Sequence, residues 1–179
     1  MKILISGHTS GIGKAIADKF SANNYEVIGF SRSNNRDLTQ LVNKIDFCDL
    51  AEKSDVIVLN ADLKFDNVQL LYNIYNRLKN NKDTSIIVIG SHSTETTKNW
   101  AHLYQIEKLA LEEAARQLQN VADAPYIGIV RPGYVDTPRV QNIEAAKMNP
   151  DEVANIVYDM VRAKQENRYK MLNTLIVPC

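Results

Sequence analysis

The chain has 179 residues, of which 45% are hydrophobic and 23% are charged, a composition that is typical of a globular protein and argues against a disordered or fibrous chain. Its 21 basic and 21 acidic residues balance, so net charge gives no long-range attraction to nucleic acid or to a membrane surface. No apolar run approaches the roughly 20 residues of a membrane-spanning helix, so we expect a cytoplasmic protein. Neither the two cysteines nor the three histidines have metal-ligand spacing, so we expect no metal site.

Short apolar runs alternate with longer segments in which apolar residues recur every three or four positions. The predicted strands are Lys2–Ser6, Glu26–Ser31, Asp55–Asn60, Ser85–Gly90, Tyr126–Arg131 and Thr174–Val177. The predicted helices are Ile12–Asn23, a short segment near Leu38–Asp46, Asn67–Leu78, Tyr104–Gln119 and Pro150–Ala163. This alternation predicts an α/β fold, a Rossmann-like doubly wound parallel sheet. No repeat or linker interrupts it, so residues 1–179 are interpreted as a single domain.

The first candidate site lies between the first strand and the first helix. There the chain reads Ser6-Gly7-His8-Thr9-Ser10-Gly11-Ile12-Gly13. Three glycines let the turn tighten, and they let backbone N–H groups approach a pyrophosphate at the helix N-terminus, where the dipole favours negative charge. Because the spacing is G-x-x-x-G-x-G rather than G-x-G-x-x-G, an ordinary tight turn remains the alternative.

The second candidate site combines Ser91, Tyr104 and Lys108. The last two are four positions apart on a predicted helix, so their side chains are adjacent. A cation beside a phenol lowers the phenol pKa from about 10, which makes tyrosine usable in proton transfer near neutrality. Ser91 follows an apolar strand 13 residues before Tyr104. Tyr75 and Lys79 have the same spacing but no such serine, and Tyr75 belongs to an apolar stripe, so that pair is interpreted as core and surface.

These motifs, in this order, resemble those of the short-chain dehydrogenase/reductases over nearly the whole chain. The glycine loop resembles that family's cofactor loop, Leu59-Asn60-Ala61 its Asn-Ala element, and Ile89-Gly90-Ser91 its catalytic serine strand. Tyr104-x-x-x-Lys108 resembles its catalytic pair, and Arg131-Pro132-Gly133-Tyr134-Val135-Asp136-Thr137 its nicotinamide loop. The chain resembles an unusually short member, since the third strand near Arg36–Leu38 is vestigial and the segment after Pro138 has about ten residues before the next predicted helix.

The resemblance implies an oxidoreductase that transfers hydride between NADP(H) and a small carbonyl or alcohol substrate. Tyr104 is then expected to be the general acid or base, and Ser91 to hold the substrate oxygen. Lys108 is expected to lower the Tyr104 pKa and to bind the nicotinamide ribose. Asn67 is expected to steady a water linked to the lysine, with helix capping as the alternative. Thr137 is expected to hold the nicotinamide carboxamide, with an ordinary turn residue as the alternative.

The end of the second strand is expected to decide the choice of cofactor. An NAD-dependent chain is expected to have a carboxylate there, whereas this chain has Ser31 followed by Arg32, which can pair with a 2′-phosphate. A solvated surface arginine is the alternative. Besides Tyr104 and Lys108, the expected cofactor-binding residues are Gly7, Thr9, Ser10, Gly11, Ile12, Gly13, Ser31, Arg32, Asp37, Leu38, Asn60, Ala61, Pro132, Gly133, Val135 and Thr137.

The chain departs from the family pattern at Leu59 and Asp62, which stand where the family has Asn and Gly, and at Glu107, which stands where a small residue is usual. Glu107 places a negative charge beside Lys108 in sequence unless it turns away on the helix. A non-catalytic nucleotide-binding sensor remains an alternative function, as does an isomerase or epimerase with retained cofactor.

One helical stripe bears on assembly. It comprises Leu111, Ala114, Ala115 and Leu118 on the predicted helix Tyr104–Gln119, and this helix and Asn67–Leu78 resemble the family's subunit-pairing helices. It predicts a homodimer or homotetramer, with packing inside one subunit as the alternative.

Overall fold

The computed structural model describes residues 1–96, 100–121, 125–166 and 174–177. Its strands are β1 (Lys2–Ser6), β2 (Glu26–Phe30), β3 (Val56–Leu59), β4 (Ser85–Ile89), β5 (Tyr126–Pro132) and β6 (Thr174–Val177). They form one sheet in the order β2-β1-β3-β4-β5-β6, in which every strand pairing is parallel. The helices are α1 (Gly11–Ala22), α2 (Leu41–Ala51), α3 (Asp66–Leu78), α4 (Leu103–Gln119) and α5 (Pro150–Gln165).

Both faces of the sheet are covered by helices, because the strand side chains are apolar in both directions. On one face, residues of α2, α3 and α4 such as Phe47, Leu71 and Leu111 form one core cluster. On the other face, Phe20 of α1 and Val157 of α5 belong to a second cluster. The predicted doubly wound parallel sheet is therefore confirmed.

The strand order places a ligand crevice at a defined point. The chain goes from β1 to β2 on one side and then crosses to β3 on the other side of β1. In open parallel sheets, ligands bind beside the carboxyl ends of the strands where the order reverses in this way. The crevice is therefore expected between the ends of β1 and β3.

The predicted elements agree with the structure within a few residues. The main difference is α2, which runs over Leu41–Ala51 and is longer than the predicted segment. Residues 36–38 form no strand, which agrees with the prediction that the third strand is vestigial. Among the described residues, no helix has the length and apolar content needed to cross a bilayer.

The stripe on α4 that predicted subunit pairing packs inside this chain. Leu111, Ala114, Ala115 and Leu118 are all buried within this chain and belong to the core between α4 and the sheet. The inference of assembly from this stripe is therefore wrong, because the small side chains pack the helix onto its own subunit. A homodimer or homotetramer remains a prediction without this support.

Candidate active site

The glycine loop after β1 adopts backbone conformations that require glycine. Gly7 has a φ of +73° and Gly11 a φ of +51°, both in the left-handed region that side chains disfavour. At Gly13 the limit is space, since a Cβ there would lie 2.0 Å from the Gly7 carbonyl oxygen. The loop therefore presents bare backbone at the N-terminus of α1, where N–H groups without intrahelical partners point outward.

Ser6 and Asn60 fix this loop against the end of β3. The buried Ser6 hydroxyl accepts hydrogen bonds from the backbone N–H groups of Asn60 and Ala61 at 2.9 and 3.0 Å. The Asn60 amide donates to the Gly7 carbonyl at 3.0 Å. The sequence predicts that Asn60 binds cofactor. In the structure its side chain already holds the loop through this hydrogen bond. Ser6 was missing from the predicted site residues, because its bonds join positions more than 50 residues apart.

A cleft of about 740 Å³ runs along the carboxyl edge of the sheet. Predicted cofactor residues that line it are Gly7, Thr9, Ser10, Gly11, Ile12, Ser31, Arg32, Asp37, Leu38, Asn60, Ala61 and Thr137. The predicted residues Gly13, Pro132, Gly133, Val135, Tyr104 and Lys108 are not part of this lining. Residues that line it without having been predicted include Ser33, Arg36, Asp62 and Arg139.

The predicted nicotinamide loop reaches the glycine loop directly. A Cβ on Gly11 would lie 2.9 Å from the Thr137 methyl group, so these two residues are in close contact. The loop is held by Met148, whose N–H donates to the Tyr134 carbonyl at 2.8 Å and whose carbonyl accepts from the Asp136 N–H at 2.9 Å. Val135 is buried, so its side chain supports the loop from behind.

The end of the cleft beside the turn after β2 is rich in hydroxyl groups and guanidinium groups. The Ser33 hydroxyl donates to the Thr9 hydroxyl at 3.1 Å, which joins the turn after β2 to the glycine loop. Ser31 shares a hydrogen bond of 2.9 Å with the Ser33 hydroxyl. The Arg36 guanidinium lies 4.7 Å from the centre of the Phe30 ring. Arg32 and Arg36 therefore both line this end. No sequence motif indicated Arg36.

The carboxylate at this end of the cleft is already engaged. Asp37 accepts a hydrogen bond from the Thr39 N–H at 3.0 Å, in the turn that leads to α2. Leu38, next to it, is only 3% exposed and packs into the core. Adenine contact by Asp37 and Leu38 remains a prediction.

Ser91, Tyr104 and Lys108 lie close together, next to the part of the cleft that Asp62 and Arg139 line. Tyr104 is the second residue of α4, and its phenol lies near enough to the side chain of Ser91, which directly follows Gly90 at the end of β4, for Ser91 to favour the phenolate. The Lys108 ammonium donates to the Ile89 carbonyl at 2.8 Å. It lies 5.7 Å from the centre of the Tyr104 ring. The helical spacing therefore places Tyr104 and Lys108 side by side as predicted, and the end of β4 brings Ser91 to them.

The electrostatics of this trio differ from the expectation. Burial raises the pKa of the Tyr104 phenol above its ordinary value, and the nearby Ser91 side chain and the charge of Arg139 oppose this rise only in part. The Tyr104 pKa is therefore not lowered overall as expected, because burial outweighs the groups that favour the phenolate. Lys108 is 6% exposed. Burial lowers the pKa of its ammonium to about 8, although the carboxylates of Asp62 and Glu112 favour the cation.

Asn67 does not cap a helix. The residue in the capping position of α3 is Phe65, and Asn67 lies inside the helix at 3% exposure. Its amide donates to the Ala61 carbonyl at 3.0 Å. Its Oδ1 is buried without a hydrogen-bond partner among the described residues. Asn67 is therefore an N-terminal helix residue, as the alternative holds, but it is not the cap. Its acceptor without a partner is compatible with holding a water, which remains a prediction.

A buried ion-pair network supports Ser91, and sequence analysis missed it. Glu112 is fully buried, and its carboxylate accepts hydrogen bonds from the Ser91 N–H at 2.9 Å and from the Thr94 hydroxyl at 3.0 Å. The same carboxylate forms an ion pair with Arg131 at 2.7 Å, and Arg131 also pairs with Glu95. A Cβ at Gly90 would lie 2.2 Å from the Glu112 carboxylate, so glycine there makes room for the network.

Two departures from the family pattern lie near the trio. Asp62 forms an ion pair with Arg139, whose guanidinium lies 5.2 Å from the centre of the Tyr104 ring. Burial raises the pKa of Asp62, but the hydrogen bond and charge of Arg139 outweigh it and hold that pKa below its usual value. Glu107 is 6% exposed, so it does not turn away into solvent on the helix.

Comparisons with known proteins extend these observations. A family model described as the NAD dependent epimerase/dehydratase family matches residues 3–88. A search of curated proteins gives no significant match. A solved "short chain dehydrogenase/reductase family protein" has 22% identity and a TM-score of 0.83, with 99% of this chain and 95% of that chain covered.

Two structures with bound nucleotides have the same fold. A short-chain dehydrogenase from Sphingobium yanoikuyae in complex with NADPH has 15% identity and a TM-score of 0.81, with 99% of this chain and 87% of that chain covered. The 3-alpha-hydroxysteroid dehydrogenase from Pseudomonas sp. B-0831, complexed with NADH, has 18% identity and a TM-score of 0.77, with 99% and 95% covered. The resemblance predicted from the motifs is therefore confirmed at the level of the fold.

Proposed function

Because the chain has the fold of the short-chain dehydrogenase/reductases, we propose that it is an NADP(H)-dependent oxidoreductase that reduces a carbonyl group of a small molecule. The observation that carries this proposal is the grouping of Ser91 and Tyr104 beside the buried Lys108. These groups lie next to the cleft at the carboxyl edge of the sheet, which is where open parallel sheets bind ligands.

The cleft fits a dinucleotide. Gly7, Gly11 and Gly13 leave bare backbone at the N-terminus of α1, which suits a pyrophosphate. Thr137, in contact with Gly11, would hold the nicotinamide end together with the loop of Pro132, Gly133 and Val135. When bound, the cofactor supplies a hydride to the carbonyl carbon.

The chain's own residues then orient and protonate the oxygen of the substrate. The Ser91 hydroxyl holds that oxygen by a hydrogen bond. Because its pKa is raised, the Tyr104 phenol stays protonated at neutral pH and can donate its proton to the oxygen, which suits carbonyl reduction. Lys108, with a pKa of about 8, is mostly protonated at pH 7, and its charge stabilises the phenolate that remains after the transfer. Asn67 would steady a water that returns the proton.

The preference for NADP(H) is supported by the composition of the adenosine end. Arg32 and Arg36 line it, and the hydroxyl groups of Thr9, Ser31 and Ser33 form a connected set beside them. Guanidinium and hydroxyl groups are suitable partners for a 2′-phosphate, whereas a carboxylate at Ser31 would repel it.

The proposal is tested with a panel of aldehydes, ketones and quinones. Turnover is followed as loss of reduced-cofactor absorbance, with Tyr104→Phe as the blank. We expect at least one carbonyl to be reduced by the wild type, and no turnover by the variant. Equal rates for the two proteins would contradict the assignment of Tyr104.

An isomerase or epimerase with retained cofactor is the second candidate, because the matching family model carries that description. Its match ends at residue 88 and does not reach Ser91 or Tyr104, so it concerns the nucleotide-binding half. Such a protein would copurify with cofactor and show no net oxidation of NADPH. A non-catalytic sensor has no use for a phenol beside Ser91 and Lys108, so the same assay also distinguishes that alternative.

A further inference from the structure

The Asp62–Arg139 ion pair stands between the cleft and the proposed proton donor. Both residues line the cleft, whereas Tyr104 and Lys108 do not belong to that lining. The Arg139 guanidinium lies over the Tyr104 ring, 5.2 Å from its centre. A substrate whose carbonyl oxygen meets the Tyr104 hydroxyl would therefore lie near this guanidinium.

The ion pair is accessible enough to exchange partners. The Arg139 side chain is 59% exposed and the Asp62 side chain 29% exposed. Ion pairs at such exposure are weak, because water competes for both groups and two side chains must be ordered. An arginine has five N–H donors in a planar fork, which fits a second carboxylate as well as it fits the first.

The surrounding charges favour an anion at this point. Two cations, Lys108 and Arg139, lie against the Tyr104 ring. Of the nearby carboxylates, Glu112 is engaged by Arg131 and by the Ser91 N–H. Glu107 is buried within α4, so Asp62 is the carboxylate that pairs with Arg139 in the structure.

We propose that Arg139 binds a carboxylate of the substrate, and that Asp62 occupies the guanidinium until that carboxylate replaces it. The substrate class is then a keto acid whose carbonyl lies near its carboxylate. This inference rests on the proposed function and adds the substrate class. The balanced reaction is keto acid plus NADPH plus one proton giving hydroxy acid plus NADP⁺, with the proton delivered from Tyr104.

The pyrophosphate of the cofactor is another source of anionic oxygens near Arg139, since Thr137 contacts the glycine loop. The position of the guanidinium over Tyr104 favours the substrate. The two sources predict different effects of Arg139→Gln. A substrate site predicts unchanged NADPH affinity, whereas a pyrophosphate site predicts a loss of it.

The first experiment compares benzoylformate with its methyl ester, with NADPH as reductant. The ester lacks the negative charge near the carbonyl and has the more electrophilic ketone, so intrinsic reactivity alone would favour the ester. For the wild type we expect kcat/KM to be at least tenfold higher with benzoylformate. Arg139→Gln should remove this preference by raising KM for the acid far more than for the ester, because any effect of the lost charge on Tyr104 is common to both probes. Arg162→Gln, which removes an exposed ion pair with Glu166, is the control and should change neither.

The second experiment measures binding without turnover, by calorimetry on the NADP⁺-loaded protein with mandelate and mandelamide. We expect mandelate to bind at least tenfold more tightly than mandelamide, Arg139→Gln to abolish the difference, and Asp62→Asn to tighten mandelate binding. Equal binding of the two probes, no binding of mandelate, or a difference that survives in Arg139→Gln overturns the proposal. So does a loss of NADPH affinity in that variant with probe discrimination unchanged.

The two experiments separate the inference from the function on which it rests. If mandelate binds through Arg139 but no carbonyl is reduced, the carboxylate site stands and the proposed reaction is wrong. If the ester is reduced as well as the acid and neither depends on Arg139, the reaction stands and the carboxylate site is wrong.

Discussion

Lys108 provides a prediction about stability that needs no substrate. Its pKa in the folded protein is about 8, compared with 10.5 for the unperturbed side chain. Below pH 8 both the folded and the unfolded chain carry the proton, so the folded state bears the full cost of a buried cation. Between these values the unfolded chain binds a proton that the folded chain has released, so wild-type stability rises with pH. Lys108→Met removes this contribution.

The size of the effect follows from the pKa shift. Between pH 7 and pH 9.5, the free energy of unfolding of the wild type should rise relative to Lys108→Met by about 2 kcal/mol, from about 1.36 kcal/mol per pKa unit over roughly 1.4 effective units. The lost hydrogen bond to the Ile89 carbonyl changes the stability of the variant by a constant amount and leaves this slope unaffected.

Urea denaturation of both proteins at several pH values between 7 and 9.5 measures the difference. Lys79→Met is the matched control, because Lys79 is exposed at the end of α3 and its removal should not alter the slope. Parallel stability curves for wild type and Lys108→Met would refute the view that a buried cation sits beside Tyr104.

Three further predictions concern single substitutions. Tyr104→Phe should abolish turnover while leaving NADPH affinity, measured by fluorescence titration, nearly unchanged, and the buried Tyr75→Phe should leave turnover unaffected. Arg32→Ala should weaken NADPH binding by about 1.5–3 kcal/mol and leave NADH binding nearly unchanged, and equal losses for the two cofactors would contradict the 2′-phosphate assignment. Glu112→Gln should cost about 3 kcal/mol of stability in urea denaturation, because it leaves the buried Arg131 without its ion pair there, and it should lower kcat by loosening the backbone of Ser91. Wild-type stability and kcat in that variant would show that the ion pair does not position the serine.

Local features of the site could be predicted from the sequence. The spacing of Tyr104 and Lys108 fixes their neighbourhood on a helix, and the glycines of the loop after β1 indicate positive φ and close approach. Ser91 could be placed because an apolar strand ends just before it. Each of these inferences needs only a few consecutive residues and the periodicity of a helix or strand.

The long-range pairs could not be predicted. Glu112 meets Arg131 only because α4 packs against β5, and Asp62 meets Arg139 across 77 positions of the chain. The pKa values depend on the same packing. The sequence shows a lysine near a tyrosine, but burial makes the phenol harder to ionise and the ammonium easier to deprotonate.

The central claim is that this chain moves a hydride to a carbonyl carbon while Tyr104 protonates the oxygen. NADPH that carries deuterium at the transferable position, incubated with wild-type protein and the best carbonyl from the panel, tests it by mass spectrometry of the product. We expect an alcohol with one deuterium on its carbinol carbon from the wild type, and none from Tyr104→Phe. An unlabelled product, or labelled alcohol formed equally by the variant, would contradict the account.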